Sequence, residues 1–188
     1  MSICIIGCGN FDRGDDAAGP LVARRLHALE IENTCVKVME HSGATFSLMD
    51  SWIGYEQVIL VDATAPTGSP GQVRVWNAHI DRLPEDTFPC STHAFGVREA
   101  VELARALNDL PPTLLIYGIE GKRFFLGARL SPEVECAVAS VTERLVMRAS
   151  NSSHPQNPLL CAGLPFEPLK NAPDPEVTIK NLTSKICR

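Results

Sequence analysis

Several features that define other classes of protein are scarce or missing in this 188-residue chain. Lysine and arginine total 17 against 22 aspartates and glutamates, a formal net charge of −5, so a basic surface for nucleic acid is not expected. No apolar run approaches the roughly 20 residues that cross a bilayer, and no signal peptide is recognisable at the N-terminus. We therefore expect a cytoplasmic protein that binds neither nucleic acid nor membranes.

The cysteines do not form a recognisable framework. There are seven, an odd number, scattered along the chain without a C-x-x-C pair, which favours reduced thiols over disulfides. Cys8 lies in the first loop, and Cys90 lies three residues before His93. A thiol hydrolase that uses Cys8 or Cys90 with His93 is therefore one hypothesis, although a free cysteine is more often a small buried apolar residue.

The first loop has the position of a nucleotide-binding loop but lacks the required residues. Gly7 and Gly9 follow an apolar run and precede a helical pattern, but Asp12 replaces the third glycine of the dinucleotide fingerprint. Asp15 and Asp16 at the helix start would repel a pyrophosphate and are typical of acids that favour a helix N-terminus. We therefore expect no nucleotide cofactor.

What the chain does contain is a regular alternation of strand and helix patterns. Strands are predicted over residues 3–6, 35–40, 58–61, 72–76 and 113–117, with the fourth at a sheet edge. Helices are predicted from Asp16 onward, over 46–52, over 93–108 with Thr92 as N-cap, and over 131–148. This alternation favours a three-layer α/β fold in which a mostly parallel sheet carries helices on both faces.

The C-terminal stretch has a different character. From Asn151 onward it contains six of the fourteen prolines and no helical or strand period of useful length. We predict one α/β domain over residues 1–150 and an irregular, proline-rich tail over residues 151–188.

Three chemically versatile residues are expected where strands end. Asp16 follows the first loop, Asp62 follows the third predicted strand, and His93 stands at the predicted start of a helix. In an open α/β sheet, ligands bind outside the carboxyl ends of the strands. Two carboxylates and an imidazole can hold a divalent cation or move protons, so this shared position favours a site over three separate structural roles. His41, which closes the second strand, is a further candidate.

Four short motifs follow one another along the chain. They are Gly7-Cys8-Gly9-Asn10 with Asp15-Asp16, Val61-Asp62-Ala63, Ser91-Thr92-His93-Ala94-Phe95-Gly96, and Tyr117-Gly118-Ile119-Glu120-Gly121. Together they resemble the hydrogenase maturation proteases over about residues 1–148. The resemblance implies a twisted sheet of about five strands between helices. It also implies that Asp16, Asp62 and His93 contact a metal, with aspartate at position 16 where several family members have glutamate.

The resemblance implies an endopeptidase that removes a C-terminal extension from the large-subunit precursor of a nickel-iron hydrogenase after nickel insertion. The substrate would supply the nickel, and Asp62 or Asp16 would act as the base in an aspartic-type or metal-assisted hydrolysis. Gly43 and Gly118 would let the substrate backbone approach closely. An alternative is a binding module that senses the metal or the precursor without cutting it.

Overall fold

A five-stranded sheet forms the centre of the computed structural model, which describes residues 2–31, 35–88 and 96–151. Its strands are β1 (Ile3–Cys8), β2 (Val36–His41), β3 (Gln57–Thr64), β4 (Val73–Asn77) and β5 (Thr113–Glu120). The spatial order is β2-β1-β3-β5-β4; β4 is antiparallel to β5, and the other neighbours pair in parallel. The predicted mostly parallel sheet, with the fourth strand at an edge, is confirmed.

Helices cover both faces of this sheet. They are α1 (Ala18–Ala28), α2 (Thr45–Ser51), α3 (Val97–Ala106) and α4 (Pro132–Asn151). Because side chains alternate along a strand, Ile5 of β1 belongs to the core formed with α1 and α4, whereas Ile6 belongs to the core formed with α2 and α3. Two apolar cores on opposite faces make the three-layer architecture that the sequence predicted.

Two glycines bring α1 close to the carboxyl ends of β1 and β3. A Cβ atom at Gly7 would overlap the carbonyl oxygen of Gly19, and a Cβ atom at Gly19 would overlap the carbonyl oxygens of Cys8 and Val61. Only glycine tolerates such an approach of backbone to backbone. The 3-10 turn Gly14–Ala17, which leads into α1, consequently lies beside these strand ends.

The structure places two helix starts differently from the sequence prediction. The segment that begins with Gly14 is first a 3-10 turn, and regular α-helix follows only from Ala18. Helix α3 begins at Val97, not at His93, because Gly96 is extended and acts as the N-cap residue. The Glu99 carboxylate accepts a hydrogen bond from the Gly96 amide at 2.8 Å, which is the reciprocal half of a capping box. The predicted cap, Thr92, lies outside the described residues.

The sequence prediction also ended the first, third and fifth strands too early; β5 was predicted to end at Tyr117 and continues to Glu120. β1 continues through Cys8, paired with His41 of β2. β3 continues to Thr64, paired with Glu120 of β5, so Asp62 lies inside the strand rather than after it. Parallel pairing with a neighbour sets these ends, and the local apolar run does not reveal it.

The last described element, α4, continues to Asn151, which was predicted to begin the tail. The remainder of the predicted tail, residues 152–188, lies outside the described residues. The division into a domain and a tail therefore stays a prediction.

Within the part of the chain that the structure describes, no helix has the length and apolar character needed to span a membrane.

Candidate functional site

The carboxyl ends of four parallel strands present one row of residues across the sheet. His41 of β2 is paired with Cys8 of β1. The register of β1 with β3 brings Cys8 level with Asp62, which is itself paired with Gly118 of β5. This is the edge of an open α/β sheet at which ligands bind.

Asp62 occupies the centre of this row as a partly buried carboxylate. Within the described residues, its Oδ1 atom accepts one hydrogen bond, from the Ala63 amide at 2.8 Å. Burial raises the pKa of the Asp62 carboxyl well above its usual range, and the nearby charge of Asp16 raises it further. The Ala63 amide acts in the opposite direction. Asp62 is therefore an acid that holds its proton more tightly than an exposed aspartate.

Asp16 supplies the second carboxylate from the 3-10 turn above the strand ends. Burial raises the pKa of the Asp16 carboxyl, while the Arg13 guanidinium and the backbone of Asn10 lower it. The 3-10 turn that carries Asp16 lies against β3, so the fold brings the two predicted acids to the same edge of the sheet. The charge of Asp16 contributes to the raised pKa of Asp62. Two neighbouring carboxylates that repel one another retain a proton between them over a wider pH range, which is typical of acid–base sites.

The third predicted ligand, His93, lies outside the described residues. Its segment rejoins the described chain at Gly96, whose carbonyl oxygen accepts a hydrogen bond from Thr45 Oγ1 at 3.2 Å. Thr45 begins α2, shortly after the end of β2, so the segment rejoins close to this edge of the sheet. Over residues 2–31, 35–88 and 96–151, no three histidine, cysteine, aspartate or glutamate side chains are grouped to hold a metal ion. The predicted set of three ligands stays a prediction.

Cys8 lies in the row but is unsuited to the thiol hypothesis. Its side chain is fully buried, and burial, with smaller contributions from Asp62 and Cys4, raises the pKa of its thiol well above the usual range. A cysteine nucleophile acts as an accessible thiolate. The structure therefore gives Cys8 a packing role, and the other candidate thiol, Cys90, lies outside the described residues.

His41 closes the row on the side of β2. Its Nδ1 atom accepts a hydrogen bond from the Gly43 amide at 2.9 Å. Burial lowers the pKa of the His41 imidazole, partly offset by a backbone hydrogen bond with Ser47. An accepting Nδ1 places the proton of the neutral ring on Nε2. His41 is consequently a hydrogen-bond donor at this edge rather than a metal ligand through Nε2.

The two glycines that were predicted to admit the substrate differ in their surroundings. Gly43 has a positive φ of 82°, and a Cβ atom there would lie 3.7 Å from Val97 and 3.9 Å from Cys8, so the space is open. At Gly118 a Cβ atom would lie 2.6 Å from the ring of Trp76. The prediction for Gly118 is wrong because the Trp76 ring already covers it.

Asp15 is a structurally important residue whose role the sequence did not reveal. The pattern indicates only an acid at a helix start, yet the side chain is fully buried and points to the loop between β5 and α4. Its oxygens accept hydrogen bonds from the amides of Lys122 at 2.7 Å, Arg123 at 2.9 Å and Ser131 at 2.6 Å, and from the Ser131 hydroxyl at 2.8 Å. These partners lie 107 to 116 positions away, so no local pattern could predict them.

Fold and site together define a class: a three-layer α/β protein with two coupled carboxylates beside the carboxyl ends of its parallel strands. A family model described as hydrogenase maturation protease, HycI, matches residues 20–148, which include Asp62 and His93 and begin after Asp16. The chain therefore belongs to the hydrogenase maturation protease family, and its family role is that of a peptidase in hydrogenase maturation.

Solved structures of the same family share the fold. The [NiFe] hydrogenase maturation protease HybD from Thermococcus kodakarensis is 26% identical, with a TM-score of 0.63 over 79% of this chain and 99% of that one. The hydrogenase maturating endopeptidase HybD from E. coli is 22% identical, with a TM-score of 0.62 over 81% and 94% of the two chains. No curated protein sequence matches the chain.

Proposed function

We propose that this chain removes the C-terminal extension of a nickel-iron hydrogenase large-subunit precursor after nickel has been inserted. The observation that carries the proposal is that Asp16, on the turn before α1, and Asp62, in β3, lie at the same carboxyl edge of the sheet. Family membership supports a peptidase of hydrogenase maturation, and the similar Thermococcus protein is a [NiFe] hydrogenase maturation protease. The proposal adds the precursor as substrate, nickel as the recognised metal, and the roles of Asp16, Asp62 and His93.

The proposed chemistry follows from the acid pair. Hydrolysis of an amide needs a positioned water, a base and stabilisation of the developing oxyanion. Because two neighbouring carboxylates disfavour double ionisation, one of Asp16 and Asp62 keeps its proton while the other is free to accept one. Without a metal between them, the ionised partner acts as the base toward water, and the protonated partner donates to the departing amine. With nickel ligated both carboxylates are ionised, and one of them takes the proton of the attacking water and passes it to the departing amine.

The nickel in this proposal arrives with the substrate. Asp16, Asp62 and His93 ligate the ion that the precursor already holds, so a correctly loaded precursor is recognised and its scissile bond positioned in one event. A cation between the two carboxylates also relieves their mutual repulsion. The hydrolysis is then metal-assisted. The competing mechanism is an aspartic-type reaction without metal. Cleavage of nickel-free precursor would indicate the aspartic-type reaction, and cleavage of nickel-loaded precursor alone would indicate the metal-assisted one.

The test is to incubate nickel-loaded precursor with the wild-type protein and to follow the intact mass of the precursor. The variants Asp16→Asn, Asp62→Asn and His93→Ala are expected to lose at least about 100-fold in rate, the typical contribution of a positioned acid, base or ligand. Asp50→Asn is the matched control because Asp50 is an exposed acid of α2. Processing by all three site variants at the control rate would place the chemistry elsewhere.

The same experiment separates a peptidase from a module that only binds the precursor. A binding module would form a stable complex with nickel-loaded precursor and leave its mass unchanged. A general protease would instead cut nickel-free precursor or unrelated peptides, which we expect to remain intact.

A further inference from the structure

The loop between β5 and α4, residues 121–131, exposes two large apolar side chains at its tip. Phe125 is 66% exposed and Leu126 is 78% exposed. Three exposed bases flank them and no acid occurs in the loop; the bases are Lys122, Arg123 and Arg129. The Lys122 ammonium pairs with the Glu133 carboxylate of α4 at 3.4 Å, so the two arginines carry the charge offered to a partner. In a chain with a net charge of −5, this loop is a local surface of the opposite sign with an apolar tip.

Hydrogen bonds at both ends and at the tip hold this loop in place. The buried carboxylate of Asp15 accepts from the amides of Lys122 and Ser131 at the two ends. Near the tip, the Gly127 amide donates to the Asp12 carbonyl at 2.7 Å. The backbone of the apolar tip is therefore already ordered. Binding of a partner to the tip then costs little conformational entropy of the loop.

The loop is also attached directly to the candidate site. The residues that hold it, from Asp12 to Asp15, immediately precede Asp16. Arg13 connects the two: its Nε atom donates to the Phe124 carbonyl of the loop at 3.1 Å, and its positive charge lowers the pKa of the Asp16 carboxyl. A protein substrate whose scissile segment reaches Asp16 is thus brought against this loop.

We infer that the loop docks an acidic, apolar surface segment of the precursor protein. Phe125 and Leu126 enter an apolar depression of the precursor, and Arg123 and Arg129 pair with its carboxylates; this inference rests on the proposed function. Charge argues against a second copy of this chain as the occupant, because two such loops facing each other would bring the arginines of both loops together. The net negative charge also disfavours a nucleic acid or an anionic membrane.

The test measures binding separately from cleavage. Immobilised nickel-loaded precursor is titrated with the wild-type protein, with a Phe125→Ser/Leu126→Ser double variant and with Ile80→Ser. Ile80 is an exposed apolar residue, 79% exposed, that serves as the control. It follows the end of β4 at Asn77, which pairs with Leu115 near the start of β5. This is the edge of the sheet opposite the candidate site. We expect Kd to rise at least about 10-fold for the double variant, as for loss of central apolar contacts, and to stay unchanged for Ile80→Ser.

A charge-reversal variant tests the electrostatic part. Arg129→Glu should weaken binding and reduce its sensitivity to salt, whereas Arg129→Lys should retain both, because the proposed pairing requires only a positive charge there. Circular dichroism of every variant confirms that it is folded. Wild-type affinity in both the folded double variant and Arg129→Glu would overturn the docking inference.

The remaining outcomes separate the two proposals. If the wild type binds the precursor through this loop but the precursor mass does not change, the docking inference stands and the proposed peptidase function fails. If the wild type cuts the precursor and the loop variants cut it with unchanged KM, the function stands and the docking inference fails. Sedimentation that shows a dimer for the wild type and a monomer for the double variant would identify a second copy as the occupant and overturn the inference.

Discussion

At the scale of single residues, the Asp62 carboxyl destabilises the fold when it ionises. Its raised pKa means that the folded state holds the proton more tightly than the unfolded chain does. Ionisation therefore destabilises the fold, and stability falls as the pH rises from the ordinary aspartate range through the raised pKa. We expect Asp62→Asn to abolish processing while raising the free energy of unfolding at pH 7 by about 1 kcal/mol, which corresponds to about 2 to 4 °C in Tm.

Thermal denaturation of Asp62→Asn and the wild type at pH 5 and pH 8 checks this expectation. The gain in Tm should be larger at pH 8, where the wild-type carboxyl carries more charge. Asp50→Asn serves as the control and should change Tm little at either pH. A gain that is largest at pH 5, or an equal gain in the control, would contradict the assigned cause.

The neighbouring Asp15 should respond in the opposite way to the same substitution. One of its oxygens accepts from the Lys122 and Arg123 amides and from the Ser131 hydroxyl, and the other accepts from the Ser131 amide. In Asp15→Asn an amide NH2 group would face donors, and buried donors would lose their acceptor. We expect a loss of about 2 to 4 kcal/mol, measured as a lower urea midpoint. A midpoint equal to that of the wild type would show that these hydrogen bonds contribute little.

At the scale of secondary-structure elements, the contact of α1 with β1 and β3 positions Asp16. A methyl group at Gly19 would overlap two backbone carbonyl oxygens, and backbone atoms of a central sheet cannot move aside easily. We expect Gly19→Ala to destabilise the fold by about 3 kcal/mol and to slow processing, because the turn that carries Asp16 must shift. Urea denaturation and the precursor mass assay measure the two effects.

Gly68→Ala provides the comparison for this substitution. Gly68 has a φ of 110° with no heavy atom within 4 Å of the added Cβ position, so only backbone strain of about 1 kcal/mol or slightly more is expected there. Processing by Gly68→Ala should match the wild type after correction for folded protein. If Gly19→Ala and Gly68→Ala behave alike, steric overlap at the strand ends is not the controlling factor.

The elements also show which parts of the fold the sequence could predict. The apolar runs of β1, β3 and β5 and the helical period of α1 and α4 are local signals, and each predicted the correct element. The end of β3 at Thr64 depends on pairing with Glu120, and the start of α3 depends on the extended Gly96. Both features arise from contacts or backbone angles that a residue pattern does not specify.

The candidate site was predictable to a different extent. Asp16 and Asp62 could be placed together because the carboxyl ends of parallel strands share one edge, a rule of topology rather than of local sequence. The burial of Cys8 and the cover of Trp76 over Gly118 could not be predicted, because both depend on packing between elements distant in the chain. His93 remains a prediction from the motif alone.

At the scale of the whole molecule, recognition of the loaded precursor should be linked to proton release. Burial raises the pKa of both acids, and the charge of Asp16 raises that of Asp62 further, so each carboxyl keeps its proton to a higher pH than an exposed aspartate. A nickel ion brought by the precursor binds carboxylates only in their ionised form, so binding must release protons. The affinity for nickel-loaded precursor should therefore increase as the pH rises above the ordinary aspartate range and then level off above the raised pKa values.

Titration of immobilised precursor at several pH values measures this linkage. Nickel-free precursor should bind more weakly and with little dependence on pH, since no cation then requires the second carboxylate to ionise. Asp62→Asn should flatten the pH dependence for the loaded precursor, because the acid with the strongly raised pKa is gone, while Asp50→Asn should leave it unchanged. Parallel pH profiles for loaded and nickel-free precursor would mean that the acids do not contact the metal, and the pair would then act on the peptide bond alone.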